Sequence, residues 1–213
     1  MNTILYAWQN WAYIAGLTLE HLLLVGVAVG LAILIGVPLG VLIVRHKWLA
    51  TPVLSLATLV LTVLSIALFG LMIPLFSLIG HGIGYVPAIT AVFLYSLLPI
   101  VRNTHTALDN LPGGLREAGR GIGMTFWQRL RWVEIPVALP VIFGGIRTAV
   151  VMNIGVMAIA AVIGAGGLGN LTYLEGFQRN HSDVTLVATL TILLIVFVIQ
   201  FIGDTLTRTL DKR

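Results

Sequence analysis

Cysteine is absent from this 213-residue chain, which excludes disulfides, thiolate metal sites and cysteine nucleophiles. Charge is scarce as well: Asp, Glu, Lys and Arg make up 9% of the residues against 58% hydrophobic, and the mean hydropathy is +1.02. That balance excludes an ordinary soluble domain and predicts an integral membrane protein. No polar stretch is long enough for a separate globular unit, so residues 1–213 read as one membrane domain. The only lysines are Lys47, after His46, and Lys212, after Asp211. Neither fits the Gly-Lys-Ser/Thr of a phosphate-binding loop, so the chain is not expected to hold ATP by that route. Histidines 21, 46, 81, 105 and 181 show no metal-ligand spacing and read as interfacial or loop residues. With no carboxylate pair and no nucleophile–base set, no catalytic, cofactor or metal site is expected, and the chain does not read as an enzyme.

What is present in quantity is uncharged apolar sequence. Leu22 to Val44 runs without a charge and is long enough to cross a hydrocarbon core of about 30 Å at about 1.5 Å per residue. Before it, Trp8, Trp11 and Tyr13 are aromatics of the kind that sit at a bilayer interface. The first twenty residues contain no Lys or Arg, unlike the start of a secretory signal. Further spans are predicted over about 52–79, with tilt or a kink at Pro74, over 86–105, over 137–163 and over 184–203. The third is short for a span, so its helix is expected to continue past Arg102 toward Leu108. The expected fold is all-α, with about five transmembrane helices and one substantial polar loop, 109–136.

Five spans place the two termini on opposite sides. Arg45, Lys47, Arg102 to Arg131 and Arg208 to Arg213 fall on one side, and only Arg179 on the other. By the positive-inside tendency the polar loop and carboxyl terminus are cytoplasmic and the amino terminus external. The isoelectric point near 9.9 is explained by this topology, and no nucleic-acid partner is expected.

The polar loop has its own pattern. Leu115, Ala118 and Ile122 recur at helical spacing, while Arg116, Glu117 and Arg120 fall on another face, with Glu117 and Arg120 placed to pair. Gly121 and Gly123 interrupt that helix. Thr125 and Gln128 form a capping-box pattern that opens a second helix, with Phe126, Leu130 and Val133 as its apolar stripe and Pro136 as its end.

Glu117-Ala118-Gly119, then Gly123, then Val133-Glu134-Ile135-Pro136 resembles the "EAA" loop of permease subunits in bacterial ATP-binding-cassette (ABC) importers. The family pattern is Glu-Ala-Ala, Gly, Ile-x-Leu-Pro, and this chain departs from it at Gly119, Val133 and Ile135. The resemblance implies the type I importer permease fold, with a coupling helix built on Glu117, Ala118, Gly119, Gly123, Val133, Ile135 and Pro136 that docks on a cytoplasmic ATPase. It implies two such ATPase subunits, which bind the ATP, a second permease copy or paralogue, an external substrate-binding protein, and residence in the lipid bilayer of the bacterial inner membrane.

Ile163-Gly164-Ala165-Gly166-Gly167-Leu168-Gly169 contains G-x-G-x-x-G, but without the strand and soluble sheet a dinucleotide site requires. Close helix packing or an external gate at Gly164, Gly166, Gly167 and Gly169 is the alternative. This stretch and the loop are similar to those of permeases for glycine betaine, carnitine and choline, which implies osmoprotectant uptake by ATP-driven alternating access. A permease for an amino acid such as methionine and a self-contained secondary transporter are the rival readings. The latter normally buries ionisable groups at mid-membrane, and the spans offer only Arg147, eleven residues past Pro136, where a structural role near the interface is expected.

Overall fold

The structure, a computed structural model, describes residues 3–211. Lys212 and Arg213, counted above among the basic residues of the tail, lie outside them. Among the described residues there is no strand. Helix α1 (Thr3–Gln9) precedes α2 (Trp11–Arg45), α3 (Lys47–Thr62), α4 (Ser65–Ser77), α5 (Tyr85–Asp109), α6 (Gly113–Gly121), α7 (Phe126–Arg129), α8 (Ile135–Ile159) and α9 (Ser182–Asp211). A π-helical turn, Leu130–Glu134, joins α7 to α8 without a break. Helix α2, which contains the expected first span 22–44, therefore begins well before it, and α5, the helix of the expected third span, does run past Arg102, to Asp109.

Four helical stretches are long and apolar enough to cross a membrane, and α3 with α4 makes a fifth if the bent pair is one crossing. The two ends of that pair lie at opposite ends of the bundle. Lys47 at the start of α3 lies 4.0 Å from Asp109 at the polar-loop end of α5, while after α4 the Gly84 N–H donates to the Ile163 carbonyl at the opposite end. The bend, 102°, falls at Val63–Leu64 rather than at Pro74. Both residues are extended there, and the Val63 carbonyl, which a continuing helix would have bonded, accepts from the Tyr95 hydroxyl of α5. In a bilayer such a partner is what makes a broken helix tolerable. Pro74 sits inside α4 without ending it.

Helix α5 is the centre of the bundle. Ala88, Ala91, Val92 and Ile100 on it are fully buried against Ala28 and Ala32 of α2, Phe69 of α4 and Ile154 and Met157 of α8. Small residues admit the close approach, as expected where packing rather than a hydrophobic drive holds helices together. A Cβ on Gly145 of α8 would stand 2.7 Å from the Pro99 carbonyl of α5. By contrast α9 turns Leu190, Leu194, Phe197 and Phe201 outward.

Two expectations need correcting. Pro136 does not end a helix: the chain runs on through it from α7 into α8, and the ladder bond that its missing N–H gives up falls where the preceding residues widen into the π turn. The segment 164–183, expected to be a loop, is largely helical. A 3-10 turn, Ala160–Ile163, leads into a tight glycine turn, then a π-helical stretch, Asn170–Phe177.

Candidate functional site

The polar loop is built as two short helices around a glycine bend. At the end of α6 the Gly123 N–H donates to the Arg120 carbonyl at 2.9 Å and the Met124 N–H to Gly119 at 3.0 Å, with Gly123 at φ +80°. This is the Schellman termination, which places a left-handed residue after the last helical turn and so favours glycine. The expected capping box is present. Gln128 N–H donates to Thr125 Oγ1 at 3.4 Å, and Thr125 N–H to Gln128 Oε1 at 2.8 Å. Phe126 anchors α7 between two cations, with the Arg45 guanidinium of α2 5.0 Å and that of Arg129 5.8 Å from its ring centre.

Under the loop lies a buried ion cluster. Arg129 Nε donates to Glu134 Oε1 at 2.6 Å, Arg116 Nε of α6 stands 3.9 Å from the same oxygen, and Arg116 Nη2 donates to the Leu108 carbonyl near the end of α5. The Glu134 side chain is 3% exposed. Gly119 is buried over this cluster, where a Cβ would lie 3.1 Å from Cγ and Cδ of Arg129. An alanine there, as in the EAA pattern, would require the Arg129 stem to give way by a few tenths of an ångström.

The expected coupling residues divide accordingly. Glu117, Ala118 and Gly123 are exposed on the outer surface, with Ile122 75% exposed between them. Gly119 is buried, Val133 and Ile135 are half-buried at the root of the loop, and Pro136 is exposed. Glu117 does not pair with Arg120: the side chains of both are exposed, and the ion pairs of this region run to Glu134. Arg116, Arg129 and Glu134 were missed as a unit. The available signal was the spacing of five between Arg129 and Glu134 just before a proline, which sets two side chains far apart around an α-helix and closer together where the turn widens.

At the opposite end of the bundle, Gly164, Gly166 and Gly167 have φ of +76°, +75° and +66°. The turn they form sits on α2. Gly167 N–H donates to Glu20 Oε2 at 3.0 Å, and the Tyr85 hydroxyl of α5 donates to Glu20 Oε1 at 2.8 Å. A Cβ on Gly166 would stand 2.5 Å from Glu20 Oε1, and one on Gly167 would stand 3.0 Å from His21 Nδ1. Gly169 packs on α8, where a Cβ would be 2.2 Å from the Ala158 carbonyl. His21 is not interfacial: it is fully buried, and its Nε2–H donates to the Ile154 carbonyl of α8 at 3.0 Å. Glu20 is the knot between α2, α5 and the glycine turn. The sequence hid this because the partners are a backbone N–H 147 positions away and a tyrosine 65 positions away.

Arg147 on α8 is met by α9, its Nη1 by Asp204 and its Nε by Gln200, and its stem lies over Gly203. The charge is thus paired between helices rather than free in the span.

Residues 28–213 match the family model of the binding-protein-dependent transport system inner membrane component. The chain belongs to that family. It resembles the osmoprotectant import permease protein OsmW of Salmonella typhimurium strain LT2, with 74% identity over 202 residues, 95% of this chain and 94% of that one. The glycine betaine/carnitine/choline transport system permease protein OpuCB of Bacillus subtilis is 41% identical over 73% of this chain and 69% of its own. Among solved structures, a chain of the MetNI methionine ABC transporter in an inward-facing conformation superposes with a TM-score of 0.85 at 29% identity, covering 92% of this chain and 95% of that one. Membership makes the chain an ABC importer permease of the inner membrane, all-α in architecture.

Proposed function

We propose that the chain is the membrane pathway of an importer for compatible solutes such as glycine betaine, carnitine or choline. The observation that carries the substrate class is the 74% identity to OsmW over nearly the whole of both chains. A methionine import permease, MetP of Bacillus subtilis, is similar over a shorter stretch, 64% of this chain at 42% identity, which ranks the amino-acid reading second.

The polar loop faces the cytoplasm and the amino terminus the outside, because the basic residues gather at the loop end. The ridge of Glu117, Ala118, Ile122 and Gly123 docks on an ATPase that is a separate polypeptide and binds the ATP. Two ATPases, a second permease and an external binding protein complete the importer. Gly164, Gly166, Gly167 and Gly169 form part of the outer gate, a reading supported by the hold of Glu20 on the Gly167 N–H and by backbone angles that side chains would disturb. Substrate passage follows from a rigid-body change between inward and outward states, biased by nucleotide on one side and loaded binding protein on the other.

The test is uptake in cells deleted for their other osmolyte importers and supplied with this permease, its ATPase and its binding protein. Betaine, carnitine or choline uptake that needs all three components is expected. Methionine uptake with none of the quaternary amines would overturn the substrate class and leave family membership untouched.

A further inference from the structure

We propose that Glu134 is the positioning residue that makes the polar loop and α8 move as one body. The proposal rests on the reading of the loop as the ATPase-docking element. Its geometric basis is the meeting of three elements at one carboxylate, with a fourth, α5, tied in through Arg116. Glu134 closes the π turn that leads into α8. Arg129, bonded to it at 2.6 Å, belongs to α7; Arg116, 3.9 Å away, belongs to α6 and also holds the Leu108 carbonyl of α5.

The local backbone is shaped for this contact. In an α-helix, residues five apart differ by roughly 140° around the axis, at about 100° per residue, so Arg129 and Glu134 would diverge. A π turn bonds residue i to i+5, and its wider winding narrows that divergence so that the two side chains can meet. Such turns gather at functional sites, and this one sits where Pro136 already disturbs the hydrogen-bond ladder.

Stability alone does not account for the arrangement, because a buried ion pair repays its desolvation poorly and an apolar pair of the same volume is often as good. What it supplies is a fixed geometry. A push on the exposed ridge reaches α8 only if α6 cannot slide against the continuous α7–α8 helix, and the Arg116 contact on Glu134, with Gly119 packed over the Arg129 stem, removes that freedom. Helix α8 then carries the displacement to the far end of the bundle, where Ile154 holds His21 and the glycine turn holds Glu20. Glu134 itself is buried and forms no part of the outer ridge, so docking and transmission are separable by substitution.

The experiment uses the complete importer, with permease, ATPase and binding protein reconstituted in liposomes, and measures three quantities: ATPase recovered with the permease, ATP hydrolysis stimulated by loaded binding protein, and substrate imported per ATP. Glu134→Gln is expected to leave ATPase recovery and hydrolysis within about twofold of wild type and to lower import per ATP by tenfold or more. Because Glu134→Gln strands the buried Arg129 charge, Arg129→Gln with Glu134→Gln is measured beside it. The double variant is expected to regain wild-type thermal stability without regaining import per ATP, and Glu134→Asp to recover import in part. Wild-type import per ATP in the double variant would overturn the proposal, as would loss of ATPase recovery from a stably folded double variant, which would make Glu134 part of the docking surface. Absence of ATPase from the wild-type permease would instead sink the docking reading on which the proposal rests.

Discussion

Gly40 of α2 and Thr104 of α5 approach so closely that a Cβ on Gly40 would stand 2.6 Å from Thr104 Cβ and 3.2 Å from the Val101 carbonyl. One turn earlier, a Cβ on Gly36 would stand 3.0 Å from Cγ2 of Ile100. This small-x-x-x-small edge is what seats α2 on the central helix. The expected consequence is a contrast within one helix. Gly40→Ala forces α2 and α5 apart and should cost about 1–3 kcal/mol, the usual range for overpacking. Gly30→Ala, which meets nothing within 4 Å, should be neutral or gain a few tenths of a kcal/mol from helix propensity, roughly, since glycine is the weaker helix former. Thermal unfolding of the purified permease in detergent measures both. Equal shifts for the two variants would contradict the packing argument.

The loop predicts a second contrast. Gly123 is exposed and open on all sides, yet its φ of +80° belongs to the region a side chain resists. Gly123→Leu should therefore deform the bend and lower ATPase-driven uptake severalfold or more while the bundle still inserts. Gly121→Ala, also open but at ordinary backbone angles, should leave uptake near wild type. Glu117→Lys tests the ridge by charge rather than by shape: reversing an exposed, unpaired carboxylate on the proposed docking face should weaken ATPase recovery without changing the permease's own melting temperature. Full uptake by both Gly123→Leu and Glu117→Lys would show that the loop is incidental to coupling.

Much of the loop was legible because its signals are local. Gly123 and the Thr125–Gln128 box act through neighbours three to five residues away, and short-range hydrogen-bond patterns are written in contiguous sequence. The long apolar helices were legible for the same reason, since uninterrupted apolar length is a local property. What escaped was tertiary. Glu20 gains its role from Gly167 and Tyr85, His21 from Ile154, and Arg147 from Asp204 and Gln200, pairs that only helix packing brings together. The bend at Val63–Leu64 was missed because no glycine or proline marks it, and what sustains it is a hydroxyl on another helix. Pro136 misled in the other direction. A proline is read as a helix end, but here the chain widens by one π turn and continues.

The last prediction concerns orientation, and the absence of cysteine makes the chain its own background. The structure puts His46, between α2 and α3, and Thr125, in the polar loop, at one end of the bundle, and Ser182, at the start of α9, at the other. His46 and Thr125 share their end with Arg45, Lys47, Arg120 and Arg131, whereas the Ser182 end carries Arg179. Since lysine and arginine near span ends are retained on the cytoplasmic side, single cysteines at the three positions should divide two to one. In intact cells an impermeant thiol reagent should modify only Ser182→Cys. Opening the cells should make His46→Cys and Thr125→Cys reactive, because both positions are at least partly exposed. Modification of Thr125→Cys from outside would reverse the orientation and, with it, remove the polar loop from the compartment in which ATP is hydrolysed.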